Sequence, residues 1–412
     1  MANLRPEDFI LEEGPMGPIG EGQALILRVN RNCPWNHCLF CHVYKGRTYS
    51  ARSVHEIKAD IDAVRRTRDL LEETSWGIGL QGRISRENFV QAITDHPAIY
   101  GDSPHPADAA QWAALRSLQN VANWLLHGAE RVFLQDANAL ALKASALLEV
   151  LRYLKEVLPS VRTVTTYARS RTCARRSSQE LRDLSEAGLS WSFVGIESGC
   201  DEVLEGMKKG VTAEEHVRGG VRLREAGIRM AAFVMPGLAG ADRELSGKHI
   251  RETVAVLNRI RPEEVRVRSL AVVEGSPLHE KWRNGEFHAC PEDRLVEEMR
   301  LLVEGLEVDC TLETLQMTNP LFSVKDRLSG IREPLIRRIG EYQNLTPVER
   351  AGVILAQYTN RGYMEIVKGW GRYDETMASL VEDAKRSVRR GSRDAPEKVD
   401  RAVFAIKSKG VP

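Results

Sequence analysis

"NRNCPWNHCLFCHVYKG", residues 30–46, decides how this chain is read. Three cysteines, Cys33, Cys38 and Cys41, fall within nine residues, directly after the strand-like run "ALILRV" at 24–29. Functional loops of parallel α/β folds lie at the carboxyl ends of the strands, so the three thiols belong at that mouth. Three thiolates can hold three irons of a cubane and leave the fourth open, whereas a structural four-iron cluster normally uses four cysteines. The competing metal is zinc. With His42 or His37 the same cysteines would make a Cys3His site, closed by four ligands. The place at a strand end, and the ring of Phe40 beside the last thiol, favour iron–sulfur.

The bulk properties narrow the classes. The chain has 412 residues, 42% apolar and 28% charged, as expected of a globular protein with a sizeable core, in one large domain or two to three ordinary ones. A net charge of +1 gives no global field toward nucleic acid or an anionic membrane. No apolar run approaches the roughly 20 residues that span a bilayer. The first residues show no secretory pattern, and a cytoplasmic, reducing compartment is the expectation. Of the seven cysteines, Cys173, Cys200, Cys290 and Cys310 are widely spaced and read as buried thiols; an auxiliary metal site from Cys290 and Cys310 is the alternative.

Short apolar runs at 24–29, 131–135, 162–167, 189–196, 229–235 and 264–270 predict strands. Amphipathic stretches at 54–73, 110–127, 139–157, 178–187, 213–226 and 247–260 predict the helices between them. Repeated strand–helix units argue for an α/β fold with a parallel sheet, either doubly wound or a barrel. The polar insert at 95–109 reads as a surface excursion or a lid. Beyond 271 the chain reads as mainly helical, at 291–307, 332–343, 346–359 and 373–390. The basic run "KRSVRRGSR" at 385–393 reads as a solvated helix face. The division is an extension at 1–23, a core at 24–275 and a helical cap or tail at 276–412.

"CPWNHCLFC" (33–41) resembles the cluster loop of the radical SAM superfamily, with C-x4-C-x2-C in place of the commonest C-x3-C-x2-C. Phe40 stands where that family usually has an aromatic residue. "FVGIESGCDEVLEGMKKGVTAEEHVRGGVRLREAGI" (193–228) and "FVMPGLAG" (233–240) are similar to the fourth and fifth strand regions of one of its branches. That branch contains oxygen-independent coproporphyrinogen oxidase and the methylthiotransferases. The resemblance runs over about 20–275, and "LQMTNPLFSVKDRL" (315–328) adds a weaker match. It implies a partial (β/α)6 barrel holding one [4Fe-4S] cluster on Cys33, Cys38 and Cys41, with S-adenosylmethionine (SAM) on the open iron. It also implies a low-potential electron donor such as flavodoxin or ferredoxin. One electron would break the sulfonium C–S bond, giving methionine and a 5′-deoxyadenosyl radical that takes hydrogen from a small-molecule or peptide substrate.

The cofactor contacts implied are Phe40 in the cluster loop; Gln135, Asp136 and Asn138 after the second strand, for the SAM amine; and Tyr167 and Arg169 after the third. Glu197 and Ser198 after the fourth would meet the ribose. Lys209, twelve residues beyond Glu197, would meet the carboxylate. Met235 and Gly237 after the fifth would let adenine approach. Asp136 and Asn138 also read as helix caps. Trp35, His37 and His42 read as loop packing and donors to cluster sulfurs, and no catalytic side chain is assigned. Two other readings stand beside this one. One is a radical SAM transferase of a methyl, methylthio or aminocarboxypropyl group. The other, against which the near-neutral charge argues, is a zinc-stabilised nucleic-acid-binding protein.

Overall fold

The computed structural model describes residues 4–15, 17, 20–102, 108–360 and 362–410. Six strands pair side by side in chain order, all parallel: β1 (Leu25–Arg28), β2 (Arg131–Gln135), β3 (Thr163–Ala168), β4 (Leu189–Glu197), β5 (Arg229–Val234) and β6 (Glu264–Val267). β7 (Thr311–Glu313) adds to β6 in parallel, and β8 (Lys325–Arg327) closes the row antiparallel to β7. The last two carry no strand pattern in the sequence. Each is three residues long, and "KDR" in β8 is exposed and charged, so pairing with a neighbour rather than propensity makes it a strand.

The crossings are helical: α1 (Val54–Gly77), α2 (Ala109–Leu126), α3 (Ala144–Val157), α4 (Ser178–Glu186), α5 (Ala213–Glu225) and α6 (Arg243–Ile260), followed by α7 (Glu292–Gly305). α1, α4 and α5 start at capping boxes, where Ser53, Ser177 and Thr212 exchange hydrogen bonds with Glu56, Glu180 and Glu215. Of the polar insert, Pro97–Tyr100 is a helical turn with Ile99 and Tyr100 buried, and 103–107 lie outside the described residues.

Alternation along each strand sorts side chains onto two faces. Leu25, Leu27, Val132, Leu134, Val194, Ile196, Val265 and Val267 join the main core. The opposite face carries Phe133, Phe193 and Phe233, with Tyr167 packed against them. In a flat sheet β2 and β6 would stand about 19 Å apart. Yet Glu21 pairs with Arg131 of β2 at 2.6 Å, and a Cβ on the adjacent Gly20 would lie 3.5 Å from Arg266 of β6. The sheet is therefore curled around this segment as a partial barrel, with the aromatic group inside. Behind it stand the C-terminal helices Leu328–Gln343, Pro347–Asn360, Tyr363–Gly369, Glu375–Arg389 and Ala395–Ser408. No helix among the described residues is long and apolar enough to cross a membrane.

Candidate active site at the mouth of the parallel sheet

The cysteine loop leaves β1 and is pinched at its base by a ribbon of Asn30–Arg31 against Ser50–Ala51. Inside it Asn32 and Asn36 take left-handed backbone, φ 66° and 51°, which asparagine tolerates better than most residues. The Asn36 side chain donates to the carbonyls of Tyr44 (2.6 Å) and Arg47 (3.2 Å), bracing the loop across its width. Its backbone N–H donates to Cys33 Sγ at 3.4 Å, and the Val43 N–H serves Cys41. Two contacts fasten the loop outward: Leu39 N–H to the Met207 carbonyl (3.0 Å) and Leu278 N–H to the Leu39 carbonyl (2.9 Å). Trp35 donates from Nε1 to the Lys208 carbonyl at 2.8 Å and lies against Gly210. There φ is +67° and a Cβ would stand 2.1 Å from the indole, so glycine is required.

Burial pushes the thiols of Cys38 and Cys41 up, while Lys209 and Arg169 pull Cys38 down and Lys45 pulls Cys41 down. A coordinating metal deprotonates such thiols outright. Among the described residues no three His, Cys, Asp or Glu side chains converge as a site for one ion. A cubane takes each thiolate on a separate iron and gains from N–H donors to sulfur. The donor set and its backbone N–H groups fit a three-cysteine cluster.

Several residues read as cofactor contacts are committed to holding this loop. Asp136 is fully buried and accepts from Arg28 at 2.9 Å, from the Asn32 N–H at 3.1 Å and from the Tyr44 hydroxyl. Its carboxylate is thus engaged by β1 and the cysteine loop. Gln135 accepts the N–H of Gly14 at 2.8 Å and is covered by the N-terminal segment. Asn138 donates to Thr172 Oγ1 (2.9 Å) and accepts from the Arg169 N–H (3.4 Å), joining the loops after β2 and β3. It caps no helix with its side chain. Ser198 is buried against His249 Nδ1 at 2.7 Å, and His249 Nε2 faces the Met235 carbonyl at 3.2 Å. Gly237 serves a turn at φ +85°; a Cβ there would meet Leu295 at 2.7 Å, so α7 and not an adenine fills that side.

The remaining residues converge on the open mouth. A register shift between Gly195 and Glu197 ends β4, and Glu197 takes φ +61°, uncommon for a side chain of its size. Its carboxylate pairs with Lys209 Nζ at 3.1 Å, both side chains being about nine-tenths buried. Gly195 makes room, because a Cβ there would lie 2.4 Å from Glu197 Oε1 and 2.9 Å from Lys209 Nζ. Lys209 also stands 5.8 Å above the Phe40 ring. Arg169 covers Trp35 at 4.9 Å and donates to the Lys209 carbonyl at 2.5 Å. Tyr167 packs edge-on to Phe133 at 4.9 Å.

Three participants escaped the sequence reading. Arg28 and Tyr44 hold Asp136, and nothing local marks them. Arg268, just past β6, donates its backbone N–H to the Val234 carbonyl at 2.9 Å and lies over Phe233 at 4.5 Å; among the described residues its guanidinium makes no hydrogen bond or ion pair. Burial depresses its pKa, while Tyr167, Glu313 and Glu197 act the other way. The alternation in "EVRVRS" (264–269) carried its signal, since Arg266 and Arg268 share the inward face. Cys173, Cys200 and Cys310 are buried, as expected, whereas Cys290 is partly exposed.

Fold and site together define a parallel α/β chain with a three-thiol loop at the carboxyl ends of its strands. No family model matches the chain. Over 119 residues it is 27% identical to the tRNA uridine(34) acetyltransferase of Methanocaldococcus jannaschii, covering 29% of this chain and 22% of that protein. It therefore spans about a fifth of that curated relative's length. Among solved structures it resembles the archaeal Methanocaldococcus infernus Elp3 with an N-terminal deletion (TM-score 0.38, 16% identity, 53% of this chain and 55% of that one). It also resembles the radical S-adenosylmethionine methyltransferase TsrM of Kitasatospora setae with cobalamin and a [4Fe-4S] cluster bound (TM-score 0.39, 15% identity, 62% and 38%). The structural overlaps are partial, and the chemistry of the site rests on its own residues.

Proposed function

We propose that this chain is a radical SAM enzyme. The observation that carries the reading is the loop of Cys33, Cys38 and Cys41, braced by Asn36 and Asp136 and set at the mouth of a parallel sheet. The three thiolates would hold a [4Fe-4S] cluster. When bound, the cluster and SAM supply a one-electron cleavage that yields methionine and a 5′-deoxyadenosyl radical, which leaves as 5′-deoxyadenosine after taking one hydrogen atom from an organic substrate.

The chain's own residues bind and orient. Lys209 would release Glu197 to meet the SAM carboxylate, as a point charge rather than the fork an arginine would offer. Glu197, freed in part, would accept from the ribose. Arg169 lies over Trp35 on the outer side of the loop. Arg268 offers an anion site on the inward face. The match to tRNA uridine(34) acetyltransferases favours a tRNA nucleoside as a second reading of the substrate.

Cys33→Ala, Cys38→Ala and Cys41→Ala are each expected to abolish SAM cleavage after anaerobic reconstitution, read as 5′-deoxyadenosine released. Full cleavage by any one of them overturns the assignment.

A further inference from the structure

The C-terminal helices border a cavity of about 790 Å³. It lies between the 270–274 segment, the helix Pro277–Arg283, α7, and the helices Glu375–Arg389 and Ala395–Ser408. That volume is in the range of sites for small organic molecules. One wall is aromatic: Trp282 and Phe404 stack at 4.2 Å, 28° from parallel. Leu270, Leu380 and Met377 continue it as apolar surface.

The charged lining does not balance. Three cations line the cavity, and each is already neutralised by a lining carboxylate. Lys407 pairs with Glu292 at 2.8 Å, Lys409 with Glu274 at 2.8 Å, and Arg401 with Glu397 at 2.5 Å. Asp374 shares Lys409 at 3.5 Å. Asp400 is left over. It accepts the N–H of Glu292 at 3.2 Å and, among the described residues, has no salt bridge. Burial and the neighbouring Glu292 and Asp293 push its carboxyl up to about 7, with Lys407 opposing. An incoming cation would favour the ionised form.

We propose that this cavity is a small-molecule site, distinct from the cysteine-loop site, for an organic ammonium ion with an apolar or aromatic body. Asp400 takes the charge, and the Trp282–Phe404 wall takes the body, where a ring face also attracts a cation. The inference does not rest on the radical SAM reading. A smaller pocket sharing Glu274, Asp374, Ser408 and Lys409 continues to His42, the residue after Cys41, so the occupant would lie on the flank of the cysteine loop.

The test is titration calorimetry on the full chain with 2-phenylethylamine, against 3-phenylpropionate as an anion of similar shape. Saturable binding of the amine and none of the carboxylate is expected. Asp400→Asn, which keeps the acceptor for Glu292, should weaken the amine about tenfold, the scale of one charge-assisted hydrogen bond. Leu380→Trp, which fills the cavity without touching its charges, should block it. Equal binding of the two probes, unchanged affinity in Asp400→Asn, or no saturable binding of the amine overturns the proposal. Because no cluster is needed, failure here leaves the SAM cleavage experiment untouched.

Discussion

Asp136 shows how a residue can serve a site without meeting its ligand. Its carboxylate gathers Arg28, Asn32 and Tyr44, so the strand before the cysteine loop and two points within the loop hang on one side chain. Removing its charge leaves Arg28 with Glu12 at 3.0 Å but strips the loop of its anchor. Asp136→Asn is expected to cost about 2 kcal/mol of stability, the scale of a hydrogen bond to a charged group. It should also lower iron retained per chain after anaerobic reconstitution; full retention would show that the loop holds its shape unaided. Lys209 is the opposite case: among the described residues its ammonium forms an ion pair only with Glu197, across the mouth. Lys209→Ala should weaken SAM binding with iron content unchanged, and equal affinity in equilibrium dialysis would remove Lys209 from the site.

At the scale of elements, close approach decides more than propensity. α5 carries Gly219 and Gly220 in its interior, where each costs about 1 kcal/mol against alanine. A Cβ on Gly219 would stand 2.5 Å from the Ser170 carbonyl, and one on Gly220 would stand 2.5 Å from Ile260. Gly219 lets α5 press against the short helix Ser170–Arg175, which directly follows Arg169, and Gly220 lets it press against the end of α6. Gly219→Ala should therefore destabilise, since overpacking against fixed backbone costs about 1–3 kcal/mol and outweighs the helical gain. Urea unfolding checks the sign: a higher midpoint would mean the helix has room to shift.

Across the molecule, Glu298 ties the C-terminal region to the barrel mouth. It lies on α7, is 1% exposed, and accepts from the Gly237 N–H at 2.6 Å and from Ser246 at 2.5 Å. Burial raises its pKa from 4.5 to about 7 despite these donors. A carboxyl that holds its proton more tightly when folded stabilises fully below its unfolded pKa. That contribution is lost as pH rises toward the folded value. Stability should fall between about pH 4.5 and 7, by at most about 3 kcal/mol from this group. Glu298→Gln keeps the acceptor and should flatten that slope in thermal unfolding; an unchanged slope would place the titration elsewhere.

The order of strands and helices was legible because period-two and period-3.6 patterns are local. The cysteine loop was legible because its spacing is contiguous. β7 and β8 were not, since three-residue strands owe their existence to a neighbour's open edge. The division of labour at the mouth also needed the tertiary structure. Sequence marked Asp136, Ser198 and Gly237 as polar or permissive positions after strands, but only packing shows that Arg28, His249 and Leu295 already occupy the space they offer. Arg268 is the converse, a cation whose availability depends on the acceptors around it. What a residue type can do is written in the chain; whether its partner is a ligand or another part of the protein is decided by which groups the fold brings within hydrogen-bonding reach.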